Sequence, residues 1–120
     1  MKGHTLALLC LVVAQLANAQ GQPPQEVKVV ATKLGGNVYG IDGRGGRMAA
    51  LVGPDGVFLV DSQFANVSDK IAAAIKDITA APLKFLVNTH VHGDHTGGNE
   101  NFAKMGQQRV VGLRGRKQSW

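Results

Sequence analysis

Asn88-Thr89-His90-Val91-His92-Gly93-Asp94-His95-Thr96-Gly97-Gly98-Asn99 is the stretch on which the reading of this chain turns. Three histidines and one aspartate fall between positions 90 and 95, and the one other histidine is His4. Neutral imidazole and carboxylate are good ligands for zinc and related divalent metals. His90 and His92 are two apart, so on extended backbone they point the same way and can grip one ion. Gly93 permits a sharp turn. Adjacent Asp94 and His95 can then face a second position. The spacing predicts a metal-binding loop with two positions, His90 and His92 at the first, Asp94 and His95 at the second.

Working outward, Leu83 to Val87 is a nearly continuous apolar run that predicts a buried strand feeding this loop. Ligand sites often form at the carboxyl ends of such strands. Before it, Ile71, Ala74, Ile75 and Ile78 recur at helical spacing. Asn66 or Ser68 can cap that helix and Pro82 stops it. Four strands are expected upstream, over Glu26–Leu34, Val38–Ile41, Met48–Val52 and Val57–Val60. They are separated by Gly35-Gly36-Asn37, the glycine-dense stretch 42–46, and Pro54-Asp55-Gly56, in which Pro presets φ and Gly accepts a positive one. Beyond the histidines, a short helical stretch over Asn101–Met105 and a sixth strand over Arg109–Leu113 are expected.

The quoted stretch resembles the signature of the metallo-β-lactamase-fold hydrolases. The resemblance extends upstream to Gly53-Pro54-Asp55-Gly56-Val57-Phe58-Leu59-Val60-Asp61-Ser62-Gln63-Phe64, which looks like that fold's strand before its first helix. It covers about residues 27–112 and implies an α/β (α+β) fold, the first half of an αββα sandwich, over 26–120. It also implies two zinc ions, the first on His90 and His92, the second on Asp94 and His95. By the same resemblance Asp94 takes the catalytic role of orienting the bridging water, and Asp61 and Thr89 match positions near the site, either as supports of the ligands or as no more than a turn cap and a strand-end residue. His95 directly after Asp94 resembles the glyoxalase-II-like branch and not the branches with cysteine at the second metal.

Such a family implies a zinc-dependent hydrolase, in which a zinc-bound hydroxide available near neutral pH attacks an ester, thioester, lactone or β-lactam-type small molecule. The family also uses later ligands: a third histidine for the first zinc, a bridging aspartate and a final histidine. No histidine follows His95 here and no acid follows Glu100. The alternative is therefore a catalytically incomplete metal-binding fragment. The tail from Gly112 to Trp120, basic and unlike the family's continuation, is read as a truncation or a shifted frame.

The remaining composition narrows the setting. Lys2 followed by the apolar run Leu6–Ala14 and by Ala17-Asn18-Ala19 reads as a signal peptide over 1–19. The run is too short for a bilayer span, which takes about 20 apolar residues. Residues 20–25, with Pro23-Pro24, read as a linker. A secreted or periplasmic chain without a membrane segment after cleavage is expected. Its sole cysteine, Cys10, lies in the signal, so no disulfide or thiolate ligand is expected. The net charge of +5 rests on Lys2 and on Arg109, Arg114, Arg116 and Lys117 near the end; the rest holds eight bases and eight acids. A neutral body with few aromatics argues against nucleic acid as a partner.

Overall fold

The computed structural model describes residues 25–106 and the backbone of residues 109–112. The expected signal peptide, most of the linker and the basic tail lie outside the described residues. Strands β1 (Val30–Gly35), β2 (Val38–Gly43), β3 (Gly46–Gly53) and β4 (Gly56–Val60) form an antiparallel meander. A 3₁₀ turn (Ala65–Val67) leads into helix α1 (Ser68–Ile78). Strand β5 (Leu83–Asn88), the short helices α2 (Gly93–Thr96) and α3 (Asn99–Lys104), and β6 (Arg109–Gly112) follow. The strands make one six-stranded sheet in chain order, in which β5 runs parallel to β4 and β6 parallel to β5.

The switch from antiparallel to parallel has a local cause. Two-residue turns suffice within the meander, whereas a parallel neighbour requires a crossover, which α1 provides. Gly56, at φ +134°, closes the β3–β4 turn, where a side chain would also collide with the Pro82 carbonyl. Helix α1 lays Ile71, Ala74 and Ile75 on one face of the sheet, with Ile78 half-buried at its end. There they meet Ile41, Met48, Ala50, Val57, Leu59 and Leu86, all buried, together with Phe102 from α3. Full burial of a side chain such as Leu59 or Ile71 contributes about 1.5–3 kcal/mol.

Three local expectations are revised. Val27 and Val29 pack against the core, but the first strand starts only at Val30. Neither Asn66 nor Ser68 caps α1: Asn66 lies in the 3₁₀ turn, and Ser68 is already helical, its hydroxyl accepting from the Asn101 amide. Gly93, where a sharp turn of the metal-binding loop is expected, is helical and opens α2.

The other face of the sheet carries a row of apolar side chains in register across four strands, Val38, Leu51, Phe58 and Phe85. Leu51 is 44% exposed and Phe85 39%. The Phe58 and Phe85 ring centroids lie 6.2 Å apart. A contiguous exposed apolar patch promotes association. For the 120-residue chain, concentration-dependent sedimentation should show self-association. The double variant L51K/F85K should shift the chain toward monomer while retaining its circular dichroism; unchanged association would remove this face as the cause.

Candidate metal centre

The site lies where two parallel strands end together. Val60 and Val87 are register partners, so the residues that follow β4 and β5 emerge side by side. The Asp61 N–H continues the ladder by donating to the Val87 carbonyl at 2.7 Å. The chain then turns through Asp61 (φ 68°) and Gln63 (φ 54°), both left-handed without being glycine. Such residues cost about 1–3 kcal/mol each and persist where their surroundings hold them. Here they are held. The buried Gln63 carboxamide accepts from the Gly45 N–H and donates to the Gly46 carbonyl, fixing the β2–β3 turn to the site. The buried Asp61 carboxylate accepts from the Thr89 N–H at 2.8 Å and contacts the His95 Nδ1 at 2.8 Å.

His95 is gripped at both ends. Its carbonyl accepts from the Ser62 N–H at 2.8 Å and the Asn88 side-chain amide at 3.0 Å. Behind it, Asn99 and Asn88 exchange hydrogen bonds: Asn99 Nδ2 donates to Asn88 Oδ1 at 2.7 Å, and Asn88 Nδ2 approaches Asn99 Oδ1 at 3.2 Å. The Ser62 hydroxyl donates to Asn99 Oδ1 at 2.7 Å and accepts from the Gly98 N–H at 3.1 Å. Ser62, Asn88 and Asn99 are all buried, so this network satisfies polar groups that would otherwise be costly. It also fixes the backbone from which the histidine loop projects.

One potential ligand atom each from His90, Asp94 and His95 lies within 4.8 Å of the other two. His90 is exposed and the other two half-buried. His92 is exposed and falls outside that group, yet its ring stands against that of His90 with centroids 4.7 Å apart and a near-perpendicular tilt. The expected pairing of His90 with His92 and of Asp94 with His95 thus appears as one continuous cluster, with His90 and His95 centroids only 3.9 Å apart.

The donor chemistry suits a cation. With Nδ1 turned to Asp61, His95 points Nε2 at Asp94 Oδ2, 3.4 Å away. In the neutral ring that donates from Nδ1, the Nε2 lone pair faces a carboxylate, two acceptors with nothing between them. A metal ion, or a second ring proton, resolves that opposition. Neutral imidazoles backed by a carboxylate, with an acidic ligand beside them, are a zinc-type set.

No role for Ser62, Gln63, Asn88 or Asn99 is legible in the sequence. They are isolated polar residues without periodicity. The available signal was that two of them lie inside the quoted histidine stretch and two directly after Asp61, where an apolar strand stops.

Close approach explains the glycine after the loop. A side chain at Gly98 would place its Cβ 2.5 Å from the Ser62 carbonyl oxygen and 2.8 Å from the Ser68 hydroxyl. Gly98→Ala should destabilise the fold by about 1–3 kcal/mol through overpacking. Asn99→Ala should cost about as much by leaving the buried Asn88 Oδ1 without its donor and the Ser62 hydroxyl without its shortest acceptor. Urea unfolding followed by circular dichroism measures both; midpoints equal to that of the parent would contradict the packing described.

Known proteins place the fold in a wider group. The metallo-beta-lactamase FIM-1 from Pseudomonas aeruginosa, in a mono-zinc form, superposes with a TM-score of 0.66 at 20% identity over 77% of this chain and 45% of its own. A metallo-beta-lactamase from Hirschia baltica gives 0.62 at 24% identity over 71% and 43%. The FEZ-1 metallo-beta-lactamase from Legionella gormanii gives 0.58 at 25% identity over 73% and 34%. This chain therefore spans less than half the length of these proteins. No curated protein matches it. A family model described as the metallo-beta-lactamase superfamily matches residues 42–116 and includes every residue of the cluster. The chain belongs to the metallo-beta-lactamase superfamily.

Proposed function

We propose that this chain carries the N-terminal metal-binding half of a zinc-dependent hydrolase acting on a small molecule with an ester, thioester, lactone or β-lactam bond. The observation that carries the reading is the cluster of His90, Asp94 and His95 at the ends of β4 and β5, with His95 held by buried Asp61. His90, Asp94 and His95 would hold an ion, with His92 beside His90 as a further donor; the family resemblance implies two ions across the same four residues. Zinc bound by such a set supplies Lewis acidity and an acidified water near neutral pH.

The chain's own residues have separable tasks. Asp61 holds the His95 ring from behind and leaves its outer nitrogen toward Asp94. Asp94, half-buried and acceptor-only when ionised, can orient a water or receive a proton at its carboxylate. The amide network of Ser62, Asn88 and Asn99 fixes the loop, so that the ligands need not be ordered when an ion arrives. The similar proteins named as metallo-beta-lactamases favour a β-lactam among the four bond types, and export through the N-terminal signal would bring the chain to a secreted or periplasmic setting. Among the described residues no helix is long and apolar enough to cross a membrane.

A catalytic zinc usually has three protein ligands, and the loop gives the first ion two histidines, His90 and His92. That favours, as the second reading, a chain that binds metal but turns over nothing by itself. Zinc titration of the 120-residue chain with a chromogenic chelator, paired with nitrocefin and a p-nitrophenyl ester as substrates, separates the two. His90→Ala and Asp94→Ala should each weaken zinc binding at least about tenfold, since each removes a direct ligand where even a supporting residue is worth that much. Unchanged affinity in both variants would refute the site. Turnover above the metal-free background would establish the hydrolase, and binding without turnover the second reading.

A further inference from the structure

Resting on the metal-binding reading above, we propose that Asp61 and Thr89 form a hydrogen-bond relay that sets the tautomer of two ligand histidines at once, His95 directly and His90 through the Thr89 hydroxyl. Thr89 is thereby a positioning residue and not a strand-end spacer.

The inference follows from counting protons. The Thr89 hydroxyl has one, and four groups surround it. Two are the Asp61 carboxylate oxygens, at 2.9 and 3.1 Å. The others are His90 Nδ1 at 3.0 Å and, more distantly, His95 Nδ1 at 3.4 Å. An ionised carboxylate can only accept. Were Thr89 to donate to His90, its oxygen would face both carboxylate oxygens with lone pairs alone. Thr89 therefore donates to Asp61. Its oxygen can then only accept, and His90 must present Nδ1–H to it. His95 Nδ1 lies 2.8 Å from Asp61 Oδ2 and must likewise carry its proton there. Both rings end in the same state, Nδ1 protonated and the Nε2 lone pair outward.

That state is the one a ligand needs at Nε2, because the partner of one ring nitrogen decides which nitrogen is free for metal. It is also not the default, since an unconstrained neutral histidine in water favours the Nε2–H form. Asp61 is well suited to the task. It is only 6% exposed, its backbone is locked at a left-handed angle, and the Thr89 N–H ties its Oδ1 at 2.8 Å. The carboxylate therefore cannot swing away to water. His92 lies outside the relay, among the described hydrogen bonds, so two histidines of the motif are set in advance and one is left to the ion.

The test uses the metal-free 120-residue chain labelled with ¹⁵N-histidine, at a mildly alkaline pH. Long-range ¹H–¹⁵N correlation spectra read each ring's tautomer. The parent chain should show Nδ1–H at both His90 and His95. Thr89→Val, close in shape to the parent, should move His90 toward Nε2–H and leave His95 as it was. Thr89→Ser should restore His90. Asp61→Asn, whose amide can donate, should disturb both rings. Zinc affinity should fall about 10–100-fold in Thr89→Val and return with Thr89→Ser. Amide correlation spectra of each variant check that the fold is intact. A His90 that is Nε2–H in the parent, or whose state Thr89→Val leaves unchanged, overturns the relay even if zinc binds. The expected tautomers without zinc binding would leave the relay standing and overturn the metal reading instead.

Discussion

A buried carboxylate at the end of β4 holds the site together. Asp61 stops an apolar strand, turns the chain through a left-handed angle, and meets both the strand that follows and the histidine loop. A buried charge needs partners, and here all of them are donors drawn from the loop it supports. The same contacts that stabilise the charge therefore set the position of Thr89 and His95. Loss of Asp61 would remove one side chain and leave two histidines without a fixed orientation.

The sheet makes this possible by bringing β4 and β5 into parallel contact. Their register places Asp61 beside Thr89 although 28 residues separate them in sequence. Helix α1 provides the crossover and covers one face, so the strands are firm where the ligands begin. The loop itself is fixed from beneath by Ser62, Asn88 and Asn99, a hydrogen-bonded polar cluster beside the apolar core. Rigid strands below and paired amides behind are what a preorganised metal site requires. The opposite sheet face, with Val38, Leu51, Phe58 and Phe85 in a row, is apolar enough for a second layer, as the fold of the superfamily implies.

Much of the fold could be read from local pattern. Alternation and turn chemistry located the meander to within a few residues, and the stripe of Ile71, Ala74 and Ile75 located α1. The four clustered ligand residues were legible because they sit within one short stretch. The first strand starts later than its pattern suggests because Val27 and Val29 pack on the core without pairing in the sheet, and a periodic pattern reports burial, not hydrogen bonding. Helix α2 is not legible in the sequence because a four-residue turn holding glycine and histidine has no propensity signal. Asp61 and Thr89 are legible only through family resemblance, since neither stands in any pattern of its own.

The sequence by itself determined which residues have metal-ligand chemistry, that they follow a buried strand, and which family they resemble, because these are properties of residue type and short spacing. Only the tertiary structure decided which nitrogen of His95 is turned inward, that His90 stands with Asp94 and His95 while His92 lies beside them, and that Ser62, Asn88 and Asn99 share one buried network. Those outcomes depend on the parallel register of β4 and β5 and on a left-handed turn at Asp61. Both arise from contacts between segments far apart in the chain, to which local residue patterns are blind.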